Sequence, residues 1–286
     1  WGHRVGNYKE VFDTDWKEYS PAMLDYCIQD VEVTTSLYKM IQNRGYSEQA
    51  MELEHNVASL IFKQEQHGFT FNKEEAEKLY SKLSARRIEL EDELQKIFTP
   101  IVTKRVSEKT GKQLKDKVTV FNPSSRFHIA QRLTEKYNWQ PEEFTPDGKP
   151  KLDDTILSKL DYPEAKLLAE HFLLDKRLGQ LAVGNQAWLK AENKGKIHGT
   201  CNTNSTVTAR ASHSNPNLAQ VPSVSVPYGK ECRALFTVPT GKKLVGIDVS
   251  GLEVRMLAHY MSKYDDGEYA KVVLDGDIHS ETQKLA

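Results

Sequence analysis

The chain reads as a helix-rich α+β protein, and three observations carry that reading. Apolar residues recur at helical spacing through 47–98 and again through 164–189. Near Gly195 the period shifts toward short strands and turns. Lys243-Leu-Val-Gly-Ile-Asp248-Val-Ser-Gly-Leu-Glu253-Val-Arg255 then spells a short buried strand with a carboxylate at its mouth, a tight Ser250-Gly251 turn and a helix opened by a second carboxylate. Leu244, Val245 and Ile247 supply the strand; Leu252, Met256, Leu257 and Tyr260 recur on the helix. Asp248 either caps that helix or holds a metal ion, and on this stretch alone capping is the commoner role.

Taken in order, residues 1–45 are mixed, with Ser20 and Pro21 opening a helix that runs to Met40. Tyr26 and Asp30 stand four apart on it and share a face. Such a pair either holds a metal and a water nucleophile or is a half-buried tyrosine beside an exposed acid. Ser47 with Glu48 and Glu52 starts the next helix, with Leu53, Val57, Leu60 and Ile61 as its stripe, and Gly68 ends it. Phe69-Thr-Phe71 is a short extended piece, and Asn72 with Glu75 caps a helix through Leu79, Leu83, Ile88, Leu90 and Leu94 to Phe98. Arg86, Arg87 and many acids make much of it a solvated face.

Residues 99–120 read as a polar linker carrying Lys104, Arg105, Lys109, Lys112, Lys115 and Lys117 against Glu108 and Asp116. It is a solvated loop or a phosphate contact. Phe121-Asn-Pro-Ser-Ser-Arg126 is a turn rich in caps that opens a helix through Ile129 and Leu133; its hydroxyls either hold a phosphate or merely cap. Helices resume at 155–160 and 164–189, the latter with Lys176 and Arg177 together. Gly195-Lys-Ile-His-Gly-Thr200 is a strand entry, Thr206–Arg210 is β-branched, and Asn215-Pro216-Asn217 marks a turn.

The 286 residues suffice for about two domains, with 28% charged and 38% hydrophobic residues. No apolar run has the length of a membrane span. The net charge of -1 does not point to nucleic acid, though a local basic face suffices for that. Cys27, Cys201 and Cys232 are far apart and show no zinc or disulfide spacing, which suggests a reducing, cytoplasmic setting. The chain begins at Trp1 without Met and ends within an expected helix after Asp277, so an internal stretch of a longer protein is expected.

Four segments, in order, resemble the family A, polymerase I-like DNA polymerases. Tyr26-Cys-Ile-Gln-Asp30 resembles the third exonuclease motif. Phe121-Asn-Pro-Ser-Ser-Arg126 resembles a thumb segment. Thr206-Val-Thr-Ala-Arg-Ala-Ser-His213 with Pro216-Asn-Leu-Ala-Gln-Val-Pro222 is similar to the segment holding the primer terminus. Asp248-Val-Ser-Gly-Leu-Glu-Val-Arg255 is similar to palm motif A, and Asp277-Ile-His279 follows at the family's position. Tyr228-Gly and Asp265-Asp-Gly-Glu-Tyr-Ala270 resemble the replicative polymerases of short-tailed bacteriophages. The resemblance implies the end of a ribonuclease H-like 3′–5′ exonuclease domain over 1–46, a connecting helix over 47–72, a helical thumb over 73–195, and over 196–286 the first part of an antiparallel-sheet palm running into the fingers.

It also implies chemistry. Addition of dNTPs to a primer uses two Mg²⁺ ions about 4 Å apart, held by hard oxygens. Asp248 is implied as a metal ligand and catalytic acid, with the Val249 carbonyl beside it. Val249, Ser250, Gly251, Leu252, Glu253 and His279 are implied at the nucleotide, with Glu253 excluding a 2′-hydroxyl. Glu253 otherwise serves the helix dipole. His279 otherwise belongs to a metal cluster with Asp275 and Asp277, or to the surface. Arg210, Asn217 and Gln220 are implied at the minor groove near the primer end. Lys176, Arg177, Ser124, Ser125 and Arg126 are implied at DNA phosphates. Asp30 is implied as an exonuclease metal ligand, with Tyr26 orienting the water.

Two departures stand out. The family usually has Thr-Gly-Arg where Thr208-Ala209-Arg210 stands, so close approach to DNA is altered there. The best-known phage relatives carry a long thumb insertion that recruits thioredoxin as a processivity factor. The place here is only 99–120, which weighs against thioredoxin and leaves its lysines part of the clamp role. The function expected is therefore a viral replicative polymerase segment, inactive alone because each site lacks ligands. A non-catalytic DNA-binding module and a metal-dependent phosphoesterase on Asp248, Asp277 and His279 are the competing classes.

Overall fold

The computed structural model describes residues 1–8, 12–13, 16–106, 109 and 111–276. The chain divides into two compact units, Trp1–Thr237 and Val238–Ala286. Mixed helices and small antiparallel sheets build the first. A short α1 (Gly2–Val5) precedes α2 (Pro21–Asn43) and α3 (Glu48–His67). The caps are those the side chains dictate: Ser20 Oγ accepts the Met23 N–H at 3.2 Å and Ser47 Oγ the Ala50 N–H at 3.3 Å. Helix α3 buries none of its residues, however, and Leu53 and Leu60 face outward, so its stripe is not core.

Strand β1 (Phe69–Phe71) leads into α4 (Lys73–Ile97), where Asn72 Oδ1 accepts the Glu75 N–H at 3.1 Å. The 99–120 stretch is not a linker. It is an antiparallel hairpin of β2 (Ile101–Val106) and β3 (Gln113–Thr119), with a register shift between Thr103 and Arg105. On β3, Lys115 and Lys117 alternate with Leu114 and Val118, a period-2 pattern that the charge count hides. Its base is closed where the Phe98 and Phe121 rings meet at 4.6 Å and Gln95 Nε2 donates to the Phe121 carbonyl at 2.6 Å.

Helices α5 (Arg126–Tyr137), α6 (Asp154–Ser158) and α7 (Pro163–Leu178) follow. The expected helix to Leu189 stops short: a π turn at Gly179–Val183 interrupts it before α8 (Trp188–Ala191), with glycines at 179 and 184 on either side of the change. Two cores result. Phe71, Leu79, Leu83, Leu90, Leu174, Leu178, Leu181, Trp188 and Ile197 form one. Leu94, Phe98, Phe121, Ile129, Leu133, Trp139, Leu157 and Leu168 form the other. Both α4 and α7 contribute to each. Their contact is clipped by Arg86 on Glu170 (2.8 and 3.0 Å) and Arg87 on Asp175 (3.0 Å), so these arginines are inter-helix links rather than a solvated face.

Strands β4 (Glu192–Asn193), β5 (Lys196–Ile197), β1 and β8 (Phe236–Thr237) form one sheet in that order, antiparallel throughout. Strands β6 (Thr200–Asn202) and β7 (Ser212–Ser214) form a separate pair, and α9 (Gly229–Ala234) precedes β8. The second unit holds α10 (Leu252–Met261) and α11 (Glu268–Asp275). No helix among the described residues is long and apolar enough to cross a membrane.

Candidate functional site

The strand expected at 244–247 does not form. Leu244 is 65% and Ile247 89% exposed, and the residues belong to no sheet. A strand needs a neighbour to take its N–H and C=O groups, and none pairs with this one among the described residues. The turn and helix do form. Gly251 sits left-handed at φ 58°, ψ 35°, and Arg255 Nε donates to the Ser250 carbonyl at 2.8 Å. Helix α10 has no side-chain cap bond. Asp248 is therefore not its cap, and its exposed carboxylate stands three residues before the capping glycine. Glu253 lies in the first turn, where a negative charge meets the positive helix end. Leu252 and Val249 are exposed beside it. His279 and Asp277 lie outside the described residues.

In the first unit, 206–210 is a turn rather than a strand. Thr206 Oγ1 accepts the Arg210 N–H and donates to the Arg210 carbonyl, both at 2.8 Å. Ala209 stands at φ 57°, a left-handed conformation that costs a residue with a Cβ about 1–2 kcal/mol. The position where the family has glycine thus keeps a glycine-like backbone. Asn217 Oδ1 accepts the Ala219 N–H at 3.1 Å, shaping the turn that presents Gln220. Gln186 grips Asn215 twice, at 3.1 Å each. Gln180 Nε2 donates to the Gln220 carbonyl at 3.1 Å. Arg210 and Gln220 are exposed; Asn217 is half-buried. Two contacts from α3 seat the neighbouring strand: Glu65 Oε1 accepts the Cys201 N–H at 2.7 Å, and Thr203 Oγ1 donates to Glu54 at 3.1 Å.

The hydroxyls of the 121–126 turn are already engaged. Ser125 Oγ caps α5 through the His128 N–H at 3.3 Å, and Ser124 Oγ donates to Asp175 at 2.5 Å. Arg126 is exposed. Lys176 and Arg177 part company: a helix turns about 100° per residue, so Lys176 is exposed while Arg177 is only 5% exposed. Arg177 lies off the surface, and its implied place at a phosphate is corrected to one in the core. Near the N-terminus, Tyr26 packs on Phe12 and Trp16 at 5.4 and 5.5 Å and lines a hollow of about 370 Å³ with Asp25, Gln29 and Glu32. Asp30 lines a neighbouring hollow with Thr34, Thr35 and Tyr38.

A family model for DNA polymerase family A matches residues 89–286. This chain belongs to DNA polymerase family A. It is 35% identical, over its whole length, to the DNA-directed DNA polymerases of Escherichia phage T7 and Enterobacteria phage T3, and spans 55% of each. It is 24% identical over 98% of its length to the DNA polymerase I of Rhizobium leguminosarum, covering 27% of that protein. Its fold matches the POL domain of Pol1 from M. smegmatis, solved in complex with DNA primer-template and dNTP, with a TM-score of 0.60 and 19% identity over 92% of this chain and 46% of that one. The T7 match extends over 387 positions against 286 residues here, so about a hundred positions of that relative have no counterpart.

For a family A chain the donor set at 248–249 fits a divalent ion in kind: an exposed carboxylate and a backbone carbonyl are hard oxygens. It does not fit in number. Among the described residues no group of three His, Cys, Asp or Glu is placed to hold a metal. Sequence reasoning missed Gln180, Gln186, Thr206 and Asp175. Each acts through a hydrogen bond between segments distant in sequence or across a turn, for which the chain carries no periodic signal.

Proposed function

We propose that this chain is the exonuclease-end, thumb and early-palm portion of a viral replicative DNA polymerase, which adds dNTPs to a primer 3′-hydroxyl under template direction. The observation that carries this reading is Asp248: an exposed carboxylate not spent on capping, ahead of a Gly251 turn and Glu253, in a family A chain. Asp248 and the Val249 carbonyl would supply hard oxygens to a divalent ion, which would need further carboxylate ligands from residues other than those described. That ion, when bound, offsets charge on the phosphoryl oxygens. Glu253 excludes a ribose 2′-hydroxyl, and His279 meets the triphosphate. Arg210, presented by the Thr206 clip, reads acceptors common to correct base pairs in the minor groove, with Asn217 and Gln220 beside it.

On the duplex side, Lys176 and Arg126 face DNA phosphates, and Ser124 and Ser125 shape the turn that carries Arg126. The hairpin adds Lys115 and Lys117 on one face, standing in for part of a processivity clamp. The shortness of the 99–120 segment weighs against a thioredoxin-type clamp. Asp30 and Tyr26 serve a 3′–5′ proofreading site.

The test is Asp248→Ala in the complete protein. Primer extension should fall by more than a thousandfold while primer-template affinity and 3′–5′ exonuclease activity stay within about twofold, since a buttressing acid costs far less than a metal ligand. Near-normal extension by the variant sinks the assignment. A wild-type protein that binds primer-template but never extends it favours a non-catalytic DNA-binding module.

A further inference from the structure

Arg177 is the least expected of the buried residues. It stands in the last turn of α7, which contributes Leu174 and Leu178 to the first core, with Cys232 near it, and is almost wholly buried. Removing a guanidinium from water is costly unless it is paired. Yet among the described residues no carboxylate bonds it, Asp154 acting only through its charge, and its Nε has no hydrogen-bond partner. Burial pushes its pKa down, and the same burial pushes the neighbouring Cys232 thiol up to about 11, so Cys232 is a neutral thiol and not a counter-charge. A leucine or methionine in its place would serve packing at least as well.

What Arg177 does do is hold Gln180. Its Nη1 donates to Gln180 Oε1 at 3.0 Å. A guanidinium has donors only, so the carboxamide oxygen must face it. The amide NH₂ is thereby turned outward, where it donates to the Gln220 carbonyl at 3.1 Å. Gln180 lies in the π turn Gly179–Val183, closed by the Gly184 N–H on the Gly179 carbonyl at 2.9 Å. Such a turn is rare and usually retained for a purpose. Two costly features, a buried cation and a π turn, converge on one bond to the 217–222 segment.

We infer that Arg177, acting through Gln180, is a positioning residue that sets where the 217–222 turn presents Asn217 and Gln220 to the primer terminus. The inference rests on the polymerase reading for its ligand, but the link from Arg177 to Gln220 stands on distances alone. Without the cation the amide is free to flip, and an amide oxygen facing the Gln220 carbonyl would repel it.

The experiment uses Arg177→Met, Gln180→Leu, the double variant and Arg177→Lys in the complete protein. Three readouts are taken: hydrogen exchange of 217–222, thermal unfolding, and steady-state primer extension with kcat and the KM for primer-template separated. The expected result for Arg177→Met is faster exchange confined to 217–222, an unfolding temperature unchanged or raised, and a rise in KM for primer-template of about tenfold, the upper range for one lost hydrogen bond. Gln180→Leu should match it, the double variant should be no worse than either single one, and Arg177→Lys should restore most of the loss. Unchanged exchange at 217–222, or losses that multiply in the double variant, overturns the inference. So does faster exchange with KM unchanged. Gln180→Leu decides the matter if Arg177→Met does not fold. Failure of the underlying reading is recognised separately, by a wild-type protein that extends no primer.

Discussion

Replacing Gly229 by alanine should destabilise the first unit, because its added Cβ has nowhere to go. An ideal Cβ there lies 1.7 Å from the Ser223 carbonyl oxygen and 3.3 Å from Val226 Cγ2. Real contacts of this kind begin near 3.0 Å, so the two must part by at least about 1.3 Å. The obstacle is backbone and has no rotamer to escape into. The Ser223 carbonyl also accepts the Val226 N–H at 3.2 Å, and the Pro222 carbonyl beside it accepts Arg233 Nε at 2.8 Å. Losing one turn bond costs about 0.5–1.5 kcal/mol, and forcing atoms into a packed site about 1–3 kcal/mol. Together these give about 1.5–4.5 kcal/mol. Urea unfolding followed by the fluorescence of buried Trp188 should show the midpoint lowered at constant slope. Ser223→Gly added to Gly229→Ala should restore nothing, since the clash is with the carbonyl. A loss under about 0.5 kcal/mol would refute the close-contact account.

The acid limb of the stability curve should depend on Glu164. Burial alone would raise this carboxyl, but Lys136, the Tyr137 hydroxyl at 2.5 Å and the backbone hold it below its ordinary value of 4.5. Its contribution is therefore full above pH 4.5 and is lost as pH falls further, through the lowered folded value; a Tm–pH series of Glu164→Gln should lack that acid loss, and a limb as steep as wild type would contradict the pairing. The hairpin prediction is electrostatic. Lys115 and Lys117 alternate onto one face of β3 with Thr119, so replacing both with alanine should reduce the slope of log K against log salt for primer-template binding by about 1.8. An unchanged slope would remove the hairpin from the interface.

The parts legible in the chain were those set locally. Ser20, Ser47 and Asn72 announce helix starts because a side-chain oxygen three residues from an orphan N–H is a short-range fact. The Asp248 turn was legible for the same reason: Gly251 takes a left-handed conformation that glycine permits. What the chain hid was pairing at a distance. The hairpin was lost under its lysines. Arg86 and Arg87 looked solvated because their partners, Glu170 and Asp175, lie more than eighty residues on. Arg177 looked like the twin of Lys176 because adjacency in a chain says nothing about which side of a helix meets the core. The strand before Asp248 failed for the converse reason: apolar alternation specifies a face, but it cannot supply the neighbouring strand.

The closed base of the hairpin has a consequence for what this scaffold can carry. Phe98 and Phe121 pack together in the second core, so the spacing between the exposed ends at 99 and 120 is set by that packing and not by the segment between them. Once the ends of a loop are fixed, each doubling of its length costs only about 0.6 kcal/mol in closure entropy. The 99–120 position is thus a socket into which a short hairpin or a whole accessory domain can be plugged with little change to the helices beneath it. On the polymerase reading proposed above, exchange of cassettes there should alter how long the protein stays on DNA while leaving the turn at Asp248 unchanged.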